Sequence, residues 1–513
     1  MIGAGVGGLC AAVRLAAAGH QVTVCEAAGA VGGKLGLRER DGYRFDTGPS
    51  LLTWPQVFED TVATAGVRLA DHLDIAPVEP AFRCRFADGT WITLPNGPPG
   101  RVAEALGDQL GGTAARDWAA FSAQAGRIWE AVCGPFLSEP LDGPGDLVRY
   151  SRRLRDLATI APWRTLRATG TRYLHDPRLR MLLDRYATYS GSDPRRAPAA
   201  LAVVPWLEQT FGAWYIRGGM RGLADVLAER AVAAGARIRL HTRVAAVRTV
   251  SGRAAGVSLD TGEHLDADVV VCNADATALY TELLDDPAAR APLRRLRRAT
   301  PSLSGFVLLL ALRGHAPQPA HHTVLFPADY DDEFDSVFGT AGVFGTAGVF
   351  GTRRRAPRPV PDPAIYLTDP DDPAACPDGD SEAWFVLVNA PRHDPGHQPG
   401  HQPGRGVDWD SDGLADRYAD VVLHAMARRG IDVRDRLRWR EIRTPADLER
   451  DTGAPGGSIY GTSSNGAAAA FLRPANRSPL PGLFLVGGSA HPGGGLPLVA
   501  QSAAIVTRLV GPP

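Results

Sequence analysis

The chain is 513 residues long, 44% hydrophobic and 22% charged, with 55 Lys+Arg against 56 Asp+Glu and a formal net charge of −1. That length exceeds what one hydrophobic core supports and predicts two packed domains. The near-neutral balance supplies no overall field for nucleic acid or an anionic membrane, so any such attraction must be local. Cys10, Cys25, Cys84, Cys133, Cys272 and Cys376 show no C-x-x-C or Cys/His spacing, which argues against a disulfide framework or a metal site and suits a reducing cytosol. An uninterrupted apolar run of roughly 18 residues is lacking, so a spanning helix is not expected, and no charged leader precedes Gly3.

The chain opens on Gly3-Ala4-Gly5-Val6-Gly7-Gly8, a G-x-G-x-x-G turn that runs into an Ala- and Leu-rich helix predicted over Cys10–Ala18. Glycines let the backbone approach a pyrophosphate, and the helix N-terminus presents free N–H groups to it. Gln21–Cys25 reads as the next parallel strand, and Glu26 stands at its end, 18 residues after Gly8, where a carboxylate accepts from a ribose. Gly32-Gly33-Lys34 follows, then Phe45-Asp46-Thr47-Gly48-Pro49; this pairing is the pattern of flavin-binding members of the fold, with Lys34 expected beside the phosphates. The cofactor expected is therefore FAD.

Further along, the parallel sheet is expected to return: Trp214–Met220 leads into a helix over Leu223–Ala234, and Ile238–Val244, Val257–Leu259 and Val269–Cys272 read as strands. Val244 stands where the backbone packs against an adenine in this fold, with a plain core valine as the alternative. Near the far end, Leu483–Val486 is another buried strand; it passes through Gly487, Gly488, His491, Pro492 and Leu496 into a helix over Leu498–Leu509. A second helix N-terminus there favours the anionic reduced flavin.

These residues resemble the carotenoid desaturases of phytoene-desaturase type, within the FAD amine-oxidase-like superfamily. The marks are GAGVGGL at the start, GGK, FDTGPSLLT at 45–53, WYIRGGM at 214–220, GGSIYG at 456–461, FLRPANR at 471–477 and LFLVGGSAHPGGGLPLVAQSA at 483–503. The resemblance covers nearly the whole chain. It implies an α/β fold, a doubly wound (Rossmann-like) FAD-binding domain with a discontinuous mixed-sheet and helical substrate domain. It also implies FAD-dependent desaturation of a linear carotenoid, phytoene or a later acyclic one, by hydride transfer to flavin. Residues 186–192, 321–330 and 386–391 look closer to desaturases of hydroxylated carotenoids. Alternatives are a hydroxycarotenoid 3,4-desaturase, an isomerase or oxygenase of carotenes, an amine oxidase, or a non-catalytic prenyl-binding relative.

The residues do not announce a catalytic acid or base; His491 and Arg217, with Asp46, are candidates only by their closeness to the expected flavin. The expected FAD-binding segments are 1–70, 214–300 and 440–513, and the substrate domain takes 71–213 and 301–439. Its sheet floor is expected from Phe82–Phe86, Phe306–Leu312 and Trp384–Asn389, under a helical cap from about 100 to 200. Within the cap, 149–185 carries ten arginines against three aspartates, interleaved with Tyr150, Leu154, Leu157, Ile160, Trp163, Leu166, Tyr173 and Leu179. That basic amphipathic stretch predicts peripheral contact with the inner face of the cell membrane, where a lipophilic polyene resides. The short repeats at Val337–Thr352 and Gly396–Gly404 are too small for a solenoid and read as surface loops. Only Met1 and Ile2 precede Gly3, so the true start is expected upstream. Oligomeric state is left open.

Overall fold

The computed structural model describes residues 1–141, 154–316, 320–340, 355–396, 404–466 and 469–513. Tyr150 and most of both repeats lie outside the described residues.

Short strands build the first sheet, apolar and buried at 270–272 and 483–485 and more polar at the edge strand 237–239. Thr23–Cys25 pairs in parallel with Arg237–Arg239, and Val270–Cys272 pairs in parallel with Leu483–Leu485. Ile2 joins the two halves through parallel bridges to both Cys25 and Cys272. Its N–H donates to the Val271 carbonyl at 2.9 Å, while its own carbonyl accepts from Asn273 N–H at 2.8 Å. The spatial order is therefore 237–239, 23–25, Ile2, 270–272, 483–485, with the glycine turn leaving from the centre. Against it lie the helices Val6–Ala17, Gly222–Ala233 and Leu496–Val510, whose Leu9, Val13, Leu223, Leu227, Ala503 and Val506 are buried in one core. Val244–Val250, Arg253–Leu259 and His264–Asp266 form a separate antiparallel sheet.

A seven-stranded mixed sheet runs in the order 437–443, 304–313, 381–390, 365–368, 322–325, 82–85, 91–94. Its pairs are antiparallel except for Thr323 beside Arg83, where the strands run parallel. Alternation along Ser304–Arg313 decides what covers each face. Phe306, Leu308, Leu310 and Leu312 meet the helix Leu414–Arg428, whereas Val307, Leu309 and Ala311 meet Tyr43, Phe45 and Phe385. The helices Pro99–Leu110, Ala114–Val132, Leu166–Tyr173, Pro177–Arg185 and Val203–Phe211 form the cap.

Two expectations need correction. Leu437–Arg443 pairs with Val307–Leu312, so a boundary at 440 falls inside a strand of the mixed sheet. Ala213–Ile216 does not rejoin the parallel sheet; it is the central strand of a small antiparallel sheet between Leu52–Thr53 and Ile75–Pro77. A four-residue apolar run carries no information about its partner, which is why periodicity alone could not tell the two apart.

Candidate functional site

Three bare backbone turns converge at the head of the parallel sheet. The first runs from Gly3 through Gly5 to Gly8, and no side chain caps the helix that starts at Val6. The second brings Gly32 N–H to the Ala4 carbonyl at 2.8 Å and sets Gly33 against Gly5, where a Cβ on Gly33 would stand 3.2 Å from the Gly5 Cα. Gly48 locks this turn from the other side: a Cβ there would fall 1.8 Å from the Lys34 carbonyl oxygen, so only glycine fits. The third comprises Gly487 and Gly488, with Gly488 folded onto Gly494 ahead of the last helix, which also begins without a side-chain cap, at Leu496.

Glu26 ends its strand with both carboxylate oxygens on this turn system. Oε2 accepts from Ala4 N–H at 2.6 Å and Oε1 from Ala28 N–H at 2.8 Å. The Glu26 carbonyl accepts from Thr242 N–H at 2.7 Å, which brings the chain leading into Val244 alongside the strand end. Val244 itself is buried among Ile2, Cys25, Val257 and Leu259. Bare glycine backbone, two uncapped helix starts and a carboxylate at the second strand end form the donor and acceptor set of a dinucleotide diphosphate and its ribose. The residues fit FAD.

Several assigned side chains sit elsewhere than expected. Lys34 donates to the Ser458 and Ile459 carbonyls at 2.8 and 2.7 Å rather than standing free at the turn, and burial lowers its pKa. A buried ammonium must spend its protons on whatever acceptors lie within reach, and two carbonyls of the 455–462 segment are nearest. Arg217 is a surface residue, its side chain 66% exposed and paired with Asp74 at 3.3 Å, and is dropped as a catalytic candidate. His491 is only 2% exposed, yet it is a structural hinge of the last turn. Its Nε2 lies 3.0 Å from the Glu139 carbonyl, its own carbonyl accepts from Asn476 and Ser502, and a cis bond joins it to Pro492. Burial pushes the His491 ring down to about 4 and keeps it neutral. Asp46 accepts from Met220 N–H at 2.8 Å and Arg221 N–H at 3.1 Å, tying the FDTGP strip to the start of the helix Gly222–Ala233. Burial raises its pKa to about 6.

Residues that sequence reasoning left without a role complete the site. Asn273 fills the gap between the first and third turns. Arg473 donates to the Tyr460, Thr462 and Gly488 carbonyls, and burial lowers its pKa to about 10. The buried Asn476 amide reaches the Leu485 and His491 carbonyls and Ser502 Oγ at 2.8–3.1 Å. Both residues stand in FLRPANR, but nothing in a short polar motif says which carbonyls it will meet.

Beyond the cofactor strip the wall turns aromatic. Trp54, just after FDTGPSLLT, stacks on Phe211 at 5.2 Å and meets Trp129 edge-on at 5.3 Å; Trp129 in turn lies 5.7 Å from Trp206. Further into the cap lies a buried polar nest of Arg185, Tyr186, Tyr189 and Glu208 with His322 and Tyr366 of the mixed sheet. Among the described residues of the basic stretch, three arginines are taken up by the fold. Arg167 pairs with Asp184 and Asp331, Arg178 with Asp176, and Arg185 is interior. Trp163, 70% exposed, is its outward feature. Among the described residues no helix is long and apolar enough to cross a membrane. His393, Asp408 and Asp410 converge apart from this site with both carboxylates exposed, as acidic groups commonly do without an ion.

The fold and site define a flavin-dependent oxidoreductase. The family model "Flavin containing amine oxidoreductase" matches residues 6–327, and the chain belongs to that family. It is 34% identical over 510 residues to the 4,4'-diapolycopene oxygenase of Methylomonas sp., covering 99% of this chain and 96% of that protein. It is 32% identical to the hydroxyneurosporene desaturase of Rubrivivax gelatinosus, covering 99% and 92%. Among solved structures, an oxidoreductase from Methanosarcina mazei superposes with a TM-score of 0.60 over 99% of this chain and 98% of that one, at 16% identity. Its cofactor is FAD.

Proposed function

We propose that this protein is an FAD-dependent desaturase of a linear carotenoid, acting on a CH–CH bond. We further propose that Gly3, Gly5, Gly8, Glu26, Gly33, Gly48, Val244, Gly488, Pro492 and Leu496 hold the FAD. The carrying observation is the aromatic wall of Trp54, Trp129, Trp206 and Phe211, which starts at the end of the cofactor strip and extends into the cap. Flat ring faces stack on a flat conjugated chain; because such faces also attract a cation, it is the similarity to carotenoid enzymes that favours a polyene over an amine. The whole-length similarity to carotenoid enzymes supports the same reading.

FAD, when bound, supplies the two-electron acceptor for the hydride that leaves the chain. The protein's own residues bind and orient. The aromatic wall holds the chain in one plane and keeps water out, and the last helix directs its N-terminal N–H groups toward the cofactor strip. His491 is committed to the Glu139 carbonyl and is given no role as a base; the proton lost beside the hydride would go to the same acceptor, so that the net step passes two hydrogens to bound FAD while the protein supplies orientation.

The substrate resides in a bilayer, and we propose peripheral docking at the inner face of the cell membrane through the exposed Trp163 and the exposed Arg172 of the helix that follows it. Co-sedimentation with anionic vesicles tests this, with Trp163→Ser expected to weaken it. For the activity, the protein is expressed in hosts making either phytoene or hydroxylated acyclic carotenoids, followed by pigment chromatography. New, more unsaturated pigments are expected in at least one host. Unchanged pigments in both, from protein carrying FAD, overturn the reading.

A further inference from the structure

We propose that the outer face of the helix Arg290–Arg298 is a docking surface for anionic lipid headgroups, outside the 149–185 stretch in which basic residues were expected to meet a membrane. The inference rests on the peripheral docking proposed above in taking a bilayer as the occupant. It adds which lipid the protein selects and which element selects it.

The helix reads RAPLRRLRR. At about 100° per residue its five arginines fall within an arc of about 160°, opposite Leu293 and Leu296. Leu296 is buried, and Leu293 packs against the same core cluster as Tyr280 and Leu284. Arg290, Arg294, Arg295, Arg297 and Arg298 are all exposed. Among the described residues none of these guanidiniums takes an ion pair or a hydrogen bond. Glu282, Asp285 and Asp286 stand before the helix, but no ion pair joins Asp285 or Asp286 to it, and Asp286 accepts from Ala288 N–H at 2.8 Å.

Folding by itself does not call for such a face. Arg290 and Arg294, like Arg294 and Arg298, are equal charges one turn apart, which weakens a helix. The helix dipole favours Arg295, Arg297 and Arg298 in the last turn but opposes Arg290 at the first position. In the 149–185 stretch, by contrast, the fold takes up Arg167, Arg178 and Arg185. Unpaired guanidiniums suit the phosphates and carboxylates of an anionic bilayer surface. The helix carries no aromatic ring on which a nucleobase could stack, which disfavours nucleic acid. With its leucines already in the core, it lies on headgroups and does not insert.

Short contacts join this helix to the Trp163 segment. Just past it, the Thr300 carbonyl accepts from Ser463 N–H at 2.8 Å, and Gly466 N–H donates to the Arg196 carbonyl at 2.9 Å. Ala199 N–H then donates to the Arg164 carbonyl at 2.9 Å, next to Trp163. Arg196, between the two, is itself exposed. An apolar anchor and a basic face are thus linked through one strip of backbone, and together they fix how the protein is oriented on the bilayer.

The test uses the full-length FAD-loaded protein and vesicles of phosphatidylcholine, alone or mixed with phosphatidylserine. Binding is read by co-sedimentation at low and high salt. The wild type is expected to bind the anionic vesicles at least about tenfold tighter than the neutral ones, and to lose that preference at high salt. The triple variant Arg290→Gln, Arg294→Gln, Arg298→Gln is expected to weaken anionic-vesicle binding by about 100-fold, at roughly fivefold per arginine. Its FAD content and Tm are expected to stay those of the wild type. Arg290→Lys, Arg294→Lys, Arg298→Lys is expected to restore binding, because charge is what the surface supplies. Trp163→Ser is expected to weaken binding to both vesicles alike. An unchanged anionic preference in the glutamine variant overturns the proposal, as does a lysine variant that fails to restore it. Tighter arginine-dependent binding to duplex DNA than to vesicles also overturns it. Docking that depends on Trp163 but not on these arginines defeats this surface and leaves the Trp163 reading standing; dependence on the arginines alone does the reverse. A wild type that binds neither vesicle defeats both.

Discussion

The Oδ1 of Asn273 lies 2.8 Å from where a Cβ on Gly7 would stand, and that same Cβ would be 2.9 Å from the Gly487 Cα. One amide thus sits between the opening glycine turn and the one near the far end of the chain, since a Cβ on Gly487 would also fall 2.5 Å from Asn273 Oδ1. Gly7→Ala has no flexible neighbour to displace. The expected result is loss of FAD and an overpacking cost of about 1–3 kcal/mol. Flavin absorbance per protein and the Tm measure the two effects.

Glu26 holds Ala4 and Ala28 by their N–H groups at the ribose end of the turn. Glu26→Arg replaces the acceptor with a cation against two donors, and FAD retention is expected to vanish. Absorbance of the purified variant after incubation with excess FAD decides this, and a normal flavin content would contradict the assignment of Glu26.

His491 sets a pH dependence with a definite sign. Its ring titrates near 6.5 when unfolded and at about 4 when folded, because burial opposes its charge. The stability it contributes is therefore complete above about pH 6.5 and is lost as the pH falls toward 4, a span of about 3 kcal/mol at most. Asp46, raised to about 6, works in the opposite sense, its contribution fading as the pH rises through that value. The informative quantity is the difference between the wild type and His491→Gln. Urea unfolding at pH 7.5 and 4.5 is expected to show the wild type losing more stability on acidification than the variant.

Asn476 and Arg217 should behave oppositely despite both being polar residues in motif positions. Asn476→Leu removes the amide's donations to the Leu485 and His491 carbonyls and to Ser502 Oγ, leaving His491 and Ser502 only each other and Gly487 N–H. The expected cost is about 1–3 kcal/mol, with loss of flavin. Arg217→Ala removes an exposed pair with Asp74, worth under about 1 kcal/mol, and should leave FAD content and pigment formation unchanged. Thermal melts and flavin spectra of the two variants suffice.

The readable parts of this protein were those in which backbone geometry itself restricts the residue. Glycine at 5, 8, 33 and 48 and the all-apolar strand runs at 270–272, 306–312 and 483–485 announce a close turn and a doubly covered strand wherever they occur. Helix limits came within a few residues, Val6–Ala17 against an expected Cys10–Ala18 and Leu496–Val510 against Leu498–Leu509, because helix starts at glycine turns lack a capping side chain to mark them.

The sequence by itself determined a dinucleotide fold whose glycine turns lie at opposite ends of the chain. Local chemistry sufficed for that, since a glycine or an apolar strand needs no knowledge of its partner. Only the tertiary structure decided where long polar side chains spend their hydrogen bonds. Arg185 came from a stretch that read as a basic membrane-docking face and is buried among aromatic rings. Arg217 came from a motif and lies in solvent. A charged side chain several bonds long reaches whichever acceptor the fold brings within 3 Å or so, and that is fixed by strands and helices hundreds of residues away.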